Sequence, residues 1–598
     1  MNKRQYIGAV LTSIALLGAT SCSQDFLETL PQTEFSETAV WGDPALVETF
    51  INQIYFRLDE PLTDGRMKAN IVDEAHYRGN APSLNFKNGV ITPDNIPAWN
   101  FSRMRQWLDL YKTIRFCNLF FSKVEEVPFK EGVVDGKNQR DRMTGEVHFL
   151  RAYLYHFLTS TYGGVPIITE AYELDDEFKA ARNSYAECVD FMVSECDQAA
   201  ALLPDVQTGN NFGRATRGAA LALKARILLY AASDLYNTDV FPSYSNPELI
   251  GYTDGSRTER WQAAKDAAKA VIDLNQYTLF RAEPGPSDSV AQNYVDLFMS
   301  KSNEEDIFIK FFTVPMGQRM GLYTSPNGYH GWGVNAPVGN LVDDFEMADG
   351  TKFDWTNPEH AAEPYKGREP RFYATILYNE APWRERPNDV KGMDPLNKIQ
   401  TGRWQRWNSA TNSMVEEFGV DTRKSPIEDW NGSYTGYYLR KYIDPNNDAQ
   451  YVSQTVTWRF MRYTEVLLNY AEACIELGED AEARTYINKV RTRAGLPGLT
   501  ESGDALRARY RNERRIELAF EDHRFYDVRR WVIGPEALDV TTVADIVYTL
   551  NPDHTTAAVP TITHKVFETH TWQDKAYFLP ILRDEMNKND LLIQNPDY

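Results

Sequence analysis

The chain has little cysteine, no long apolar run in its body and a deficit of positive charge. Five of its 598 residues are cysteine. Cys117, Cys188, Cys196 and Cys474 lie among apolar neighbours in segments of helical periodicity, with no CxxC and no Cys/His metal spacing. Cys188 and Cys196 fall on one predicted helix; at about 1.5 Å rise per residue they stand roughly 12 Å apart, too far for a disulfide. All four read as small buried hydrophobes. No stretch beyond the N-terminal segment is apolar over the ~20 residues that a bilayer crossing needs. Asp and Glu number 84 against 63 Lys and Arg, a formal net charge of −21. That balance argues against nucleic acid, whose binding rests on neutralising phosphates. It disfavours polyanionic ligands unless basic side chains cluster locally, and neutral sugars or peptides fit better.

Catalytic signatures are missing as well. Gly432-Ser433-Tyr434-Thr435-Gly436 lacks the spacing of a nucleophile elbow. Gly132 to Lys137 falls short of a P-loop and has no hydroxyl residue after the lysine. There is no HExxH, and His148 and His156 read as ordinary helix residues. Asp343-Asp344-Glu346 reads as a group of solvated acids. A glycosidase pair, two carboxyls about 5–10 Å apart across a sugar, is not specified by any spacing here. Glu513, Glu517 and Glu521 beside Arg514, Arg515 and Arg524 predict i,i+4 pairs on one helix face. Asp444 to Asp448 lacks the Gly and Glu of an EF-hand and reads as a turn. No metal and no cofactor is expected, and no catalytic residue.

What is present begins with an export signal. Lys3 and Arg4 precede an apolar run from Ile7 to Leu17, and Ala19-Thr20-Ser21 supplies small residues before Cys22. Ala19-Thr20-Ser21-Cys22 resembles bacterial lipoprotein signals, which implies cleavage after Ser21 and a lipid anchor on Cys22. Residues 1–21 are then the signal peptide and 22–37 a tether.

Beyond the tether the apolar residues recur at three- and four-residue steps. The spacing predicts helices near Asp43–Leu58, Arg103–Val127, Asn138–Tyr162, Ser184–Leu203, Arg217–Tyr236 and Glu259–Leu274, and again over Arg462–Leu477, Ala481–Ala494 and Ala505–Phe520. Between Asp64 and Phe101 the pattern breaks into a Gly-, Pro- and Asn-rich loop region. From Tyr277 to about Tyr451 it fades again, with strand-like runs at Asp306–Phe312 and Thr375–Tyr378. The last 70 or so residues also look irregular. Glu465 to Pro497 shows partial tetratricopeptide spacing, with Gly478 at the turn and Ala483, Ile487, Val490 and Pro497 following; Ala219–Tyr277 is a looser second case. The fold class is mostly α: an α-solenoid of tetratricopeptide-like helix pairs with a large irregular, loop-rich region carrying short strands. The expected organisation is an N-terminal helical part (38–276), a loop-rich insertion (277–451) and a C-terminal helical part (452–598) in one integrated body.

Several segments in order resemble the RagB/SusD family of outer-membrane nutrient-binding lipoproteins. They are Cys22 to Leu27; EVHFLRAYLYHFLTSTYGGVPIITE from Glu146; GRATRGAALALKARILLYAASDLYN from Gly213; LVDDFEMADG from Leu341 with REPRF from Arg368; YTEVLLNYAEA and INKVRTRAGLP within Arg462–Pro497; NERRIELAFEDHRFYDVRRW from Asn512; and Phe578-Leu579-Pro580 with the C-terminal QNPDY. The resemblance implies a helical body attached to the outer membrane by its N-terminal lipid and facing the cell exterior. It implies a TonB-dependent barrel transporter as partner, over which the lipoprotein sits as a lid, and ligand capture without catalysis. Arg151, Tyr153 and Arg491 in these segments read as scaffold.

The family's ligand surface, an arc of aromatic and polar side chains on loops, directs attention to two loops of that composition. One, Asp73 to Asn100, carries Tyr77, Arg78, Asn80, Trp99 and Asn100; the other, Tyr323 to Asn335, carries Tyr323, Tyr329, His330 and Trp332. A ring covers the CH face of a pyranose while Asn and Arg donate to its hydroxyls. The reading is a surface glycan-binding lipoprotein that delivers oligosaccharides to its barrel. Its alternatives are a peptide-binding lipoprotein of the same transport type, a surface polysaccharide-degrading enzyme and a protein-binding adaptor solenoid.

Overall fold

The computed structural model describes residues 37–58, 61–62, 65–77, 82–94, 107–172 and 179–598. The signal segment, Cys22, and the predicted site residues Arg78, Asn80, Trp99 and Asn100 lie outside these. Helix α1 (Pro44–Phe56) starts at Asp43, whose carboxylate accepts from the Ala45 N–H, with a proline in the first turn. Helices α2 (Trp107–Lys123), α3 (Gln139–Tyr162), α4 (Tyr185–Leu202), α5 (Arg217–Ala232) and α6 (Arg257–Asp273) follow. The starts of α3 to α6 have a chemical cause. Asn138 caps α3, Thr216 caps α5 and Ser256 caps α6, while Ser184 and Glu187 close a reciprocal capping box on α4.

Successive helices pack on one another from α3 to α6. α3 is buried on nearly every face from Met143 to Tyr162. α5 is almost as enclosed, and its alanines at 219, 220, 222, 225, 231 and 232 are all buried, so neighbouring helices approach closely on several sides. Helices α7 (Val290–Met299), α8 (Tyr463–Glu476), α9 (Asp480–Arg493) and α10 (Gly503–Glu517) complete the frame. α8 forms a hairpin with α9 across Gly478, whose φ of +78° suits the left-handed end of a helix. α8 also packs on α5 and α6, so the C-terminal pair stacks directly on the N-terminal ones. The body is mostly helical, as the periodicity predicts.

The strands are short and tie distant segments. β1 (Ala75–Tyr77) pairs antiparallel with β3 (Asn335–Pro337), placing Tyr77 opposite Asn335. β2 (Asp306–Lys310) pairs with β6 (Trp458–Arg462). One sheet is larger: β4 (Arg403–Asn408), β5 (Ser413–Phe418), β7 (Val540–Tyr548) and β8 (Thr561–Thr569), in the order β8-β7-β4-β5. The outer pairs are antiparallel and β7 runs parallel to β4. The expectation that the last 70 residues are irregular is therefore corrected. β8 is an edge strand with most of its side chains in solvent, so its sequence, TITHKVFET, carries almost no apolar pattern to read.

A second correction concerns charge. Glu513, Glu517 and Glu521 do not lie on a solvated face with partners one turn away. All three are buried, and their partners come from remote segments. Arg371 reaches Glu513 at 2.6 Å and Glu517 at 2.9 Å. Arg491 reaches Glu513 at 2.7 Å, and Arg462 reaches Glu521 at 2.7 Å and Glu305 at 3.0 Å. Lys441 reaches Glu521 at 2.7 Å. Glu346 is likewise not a solvated acid but is 3% exposed and paired with Arg491 and Arg509. This network fastens α9 and α10 to the segments around residues 305, 346, 371, 441 and 462. The surrounding guanidinium groups hold the Glu517 carboxyl well below the usual carboxylate range against the opposing effect of burial.

Scaffold readings hold elsewhere. Arg151 is buried and makes a bidentate pair with Glu195, 2.7 and 2.8 Å, and Tyr153 is 1% exposed. The four described cysteines are free and buried, and burial raises the Cys117 and Cys188 thiols to about 12. Asp444 accepts from the Asn446 N–H in a turn.

Candidate functional site

Two segments predicted to carry the site do meet. Pairing of β1 with β3 sets the Tyr77 loop beside the Tyr323–Asn335 loop. The Asn335 side chain locks the junction: its carbonyl accepts from the Met67 N–H at 3.0 Å and from the Asn70 amide at 2.6 Å, and its NH2 donates to the Gly65 carbonyl and to the Thr324 hydroxyl, both at 3.0 Å. The residue is fully buried with its donors and acceptors used, so it fixes geometry rather than touching ligand.

Rings stand above this junction. Tyr323 and Trp332 meet edge to face with centroids 5.0 Å apart, and both are half-buried. Gly65 backs the Tyr323 ring so closely that a β-carbon there would lie 2.2 Å from it. Tyr77, also half-buried, receives a hydrogen bond on its hydroxyl from Arg66 at 2.9 Å, and the same guanidinium lies 4.7 Å from its ring centre. The predicted Tyr77, Tyr323 and Trp332 are thus brought together with the unpredicted Arg66.

Tyr329 is corrected. Its ring is 0% exposed and packs with Leu377, Ala381, Ile399 and Tyr438. Its hydroxyl donates to the Arg384 carbonyl at 2.9 Å, and the Arg386 guanidinium lies 4.1 Å from its ring centre. Burial pushes the phenol well above its ordinary value. The 3-10 turn Asn327–Tyr329 is pinned by Asn327 donating to the Thr422 carbonyl and ends at His330 with φ +59°, and it carries Tyr329 within a core whose shape sequence spacing did not reveal. His330, beside it, pairs with Asp389 at 3.0 Å.

The ring surface extends beyond the predicted loops. The Gly432 N–H reaches the Trp332 carbonyl at 3.4 Å, bringing up the loop that carries Trp430, 61% exposed, and Tyr434, 38% exposed. Tyr434 stacks on Phe567 of β8 with centroids 5.9 Å apart and meets His76 edge-on at 5.8 Å. His76 neighbours Tyr77 on β1 and hydrogen-bonds Glu568 at 3.1 Å. Trp430, Tyr434, Phe567 and His76 escaped sequence reasoning, although two aromatics within Trp430-Asn431-Gly432-Ser433-Tyr434, a polar turn sequence, were a usable sign. Among the described residues, no group of three or more His, Cys, Asp or Glu is placed to hold a metal. The arrangement gathers partly exposed rings beside hydrogen-bonding groups, a composition suited to a ligand with flat CH faces and many hydroxyls.

A helix-pair body bearing such a face defines a class of extended ligand-binding scaffolds. Comparison with known proteins places it further: residues 296–598 match the SusD family, and residues 25–229 match the family described as starch-binding, associating with outer membrane. The chain belongs to the SusD family. A SusD-like protein of Bacteroides fragilis shares 28% identity at a TM-score of 0.71, covering 94% of this chain and 99% of that one. A SusD-like carbohydrate-binding protein from the same species shares 24% identity at a TM-score of 0.69, covering 93% and 100%. SusD-like protein P38 of Formosa agariphila is 24% identical over 90% of this chain and 94% of its own length. No helix among the described residues is long and apolar enough to cross a membrane.

Proposed function

We propose that the protein is a surface glycan-capture lipoprotein. Anchored through Cys22, it holds oligosaccharides on its aromatic face and passes them to a TonB-dependent barrel transporter without chemically altering them. The observation that carries this is the gathering of half-buried and exposed rings, Tyr77, Tyr323, Trp332 and Tyr434, on segments tied together by Asn335 and the Gly432 contact. Pre-set rings lose little conformational freedom on binding, which favours capture of a weakly apolar ligand. A carbohydrate-binding relative of the same fold and a starch-binding family description support a sugar as the ligand. The predicted Trp99, Arg78, Asn80 and Asn100 belong to this proposal as further ligand contacts.

An affinity-gel and calorimetric screen of the mature chain against plant and host polysaccharides tests it. Retention by at least one glycan, without release of shorter products, is the expected result. Turnover of the bound glycan points instead to a degrading enzyme, and retention only of peptides to the peptide-binding reading. Co-purification of a barrel transporter from outer membranes with the tagged lipoprotein tests delivery, and its loss in Cys22→Ala tests the anchor.

A further inference from the structure

Beside Tyr434, between the sheet and the 421–436 loop, lies a cleft of about 270 Å3 whose lining includes Arg403, Phe418, Arg423, Lys424, Tyr434 and Asp545. Its charge is unlike that of the chain. The carboxylates at the cleft are already occupied: Asp421 is buried and takes two hydrogen bonds from Arg386, at 2.8 and 2.6 Å, and Asp545 is shared by Arg403 and Lys565. Arg403 also pairs with Glu416. Arg423 and Lys424 remain. No carboxylate pairs with either among the described residues. The Arg423 guanidinium lies 5.1 Å from the Tyr434 ring centre, and one of its terminal nitrogens is shielded from solvent with no hydrogen-bond partner. The Lys424 ammonium lies 5.1 Å from the Phe418 ring centre. Arg423 and Lys424, neither paired with a carboxylate among the described residues, share a recess on a protein of net charge −21, where the general field repels anions and only a local cluster attracts them. Arg386, shared by Asp421 and Asp394, leaves that neighbouring group net negative and the recess with a smaller positive surplus.

We propose that this cleft receives an anionic substituent of the captured glycan, a uronate carboxylate or a sulfate ester, so that the protein selects acidic over neutral chains. The inference rests on the glycan-capture reading. The geometry joins the two. Tyr434 lines the cleft and belongs to the ring surface that runs through Gly432 to Trp332. Arg423 lies 5.1 Å from the Tyr434 ring centre, so ring and cation border the same recess. A guanidinium fork matches the planar face of a carboxylate or the oxygens of a sulfate in paired hydrogen bonds, and Arg423 lines the cleft with no carboxylate partner among the described residues. Lys424 adds a second charge without demanding a fixed geometry.

The test measures binding of the full mature chain to oligogalacturonate, to its carboxyl-reduced galactose counterpart, to a sulfated galactan and to an acidic peptide of equal charge. An affinity at least tenfold higher for one acidic glycan than for the reduced chain is expected, shrinking as salt rises and collapsing toward parity in R423Q and in K424Q. Which acidic glycan wins separates carboxylate from sulfate. Lys424 is exposed, Arg423 pairs with no carboxylate among the described residues, and matching thermal midpoints check that the variants fold. Equal affinity for acidic and reduced chains overturns the inference while leaving glycan capture standing. A preference that persists in both variants also overturns it, because the anion is then read elsewhere. Binding of the peptide alone, or of no glycan, overturns it together with the reading beneath it.

Discussion

The indole of Trp332 stands at 85° to the phenol ring of Tyr323, with centroids 5.0 Å apart. One ring is thereby braced by the other, and the pair forms a half-buried corner. Replacing Trp332 with Ala is expected to weaken glycan binding by about 1–3 kcal/mol, the range of a well-placed aromatic anchor. Because the indole is half-buried, stability should fall far less than for a core tryptophan. Calorimetry of the variant against its best glycan checks this; an unchanged isotherm removes Trp332 from the binding surface.

Gly65 allows that corner to exist. Its φ is +80°, and a β-carbon would stand 2.2 Å from the Tyr323 ring. Gly65→Ala therefore meets backbone strain and a displaced ring together, expected to cost at least about 1 kcal/mol of stability. Affinity should fall along with stability, and tryptophan fluorescence should shift as the Trp332 environment opens. Retained affinity with lowered stability would show that Tyr323 is a strut and not a contact.

The helical frame was legible because its signals are local. Caps at Asp43, Asn138, Ser184, Thr216 and Ser256 are short polar residues ahead of periodic apolar runs, and each lies at a helix start. Part of the candidate ring surface was legible for a different reason: an aromatic in a Gly- and Asn-rich loop has few ways to be buried, and Trp332, Tyr323 and Tyr77 keep part of their surface. Tyr329 shows the limit. It sits in the same kind of loop, yet its pocket is assembled from Leu377, Ile399 and Tyr438, segments whose approach no local pattern announces. Glu517 fails likewise, since its i,i+4 neighbours suggest a surface ladder while its partners Arg371 and Arg462 arrive from elsewhere in the chain. Phe567 was hidden because an edge strand with a solvated face has no alternation to detect.

The buried ion network gives a sharp stability prediction. Glu517 is fully buried and faces Arg371, Arg462 and Arg493. Glu517→Gln keeps the volume but leaves surplus buried positive charge, and breaking such a set from one side costs ~3–5 kcal/mol. Denaturant unfolding should show an unfolding free energy lowered by that amount. A loss below about 1 kcal/mol would mean that the remaining glutamates, Glu305, Glu513 and Glu521, suffice to balance the cations.

His156 sets part of the acid limit. It lies buried on α3 among Phe157, Tyr230 and Tyr526, and burial, with the nearby Arg226 charge, lowers its imidazolium to about 3 from an ordinary 6.5. The folded state therefore holds His156 neutral while the unfolded chain binds a proton below pH 6.5. Over the window from 6.5 down to about 3 the unfolded state carries more protons, so this contribution to stability is complete above 6.5 and is lost as pH falls. The slope from this one group cannot exceed that of one proton, about 1.4 kcal/mol per pH unit. Other groups, such as the Glu472 carboxyl lowered to about 2 by Arg530 against the effect of burial, steepen the fall below pH 4.5 in parent and variant alike. The informative quantity is thus the difference between them. His156→Gln should lose stability less steeply than the parent between pH 6.5 and 4.5 in thermal melts, with the two curves converging as pH drops. Parallel curves would show that His156 is protonated in the fold or that its neighbours open before it titrates.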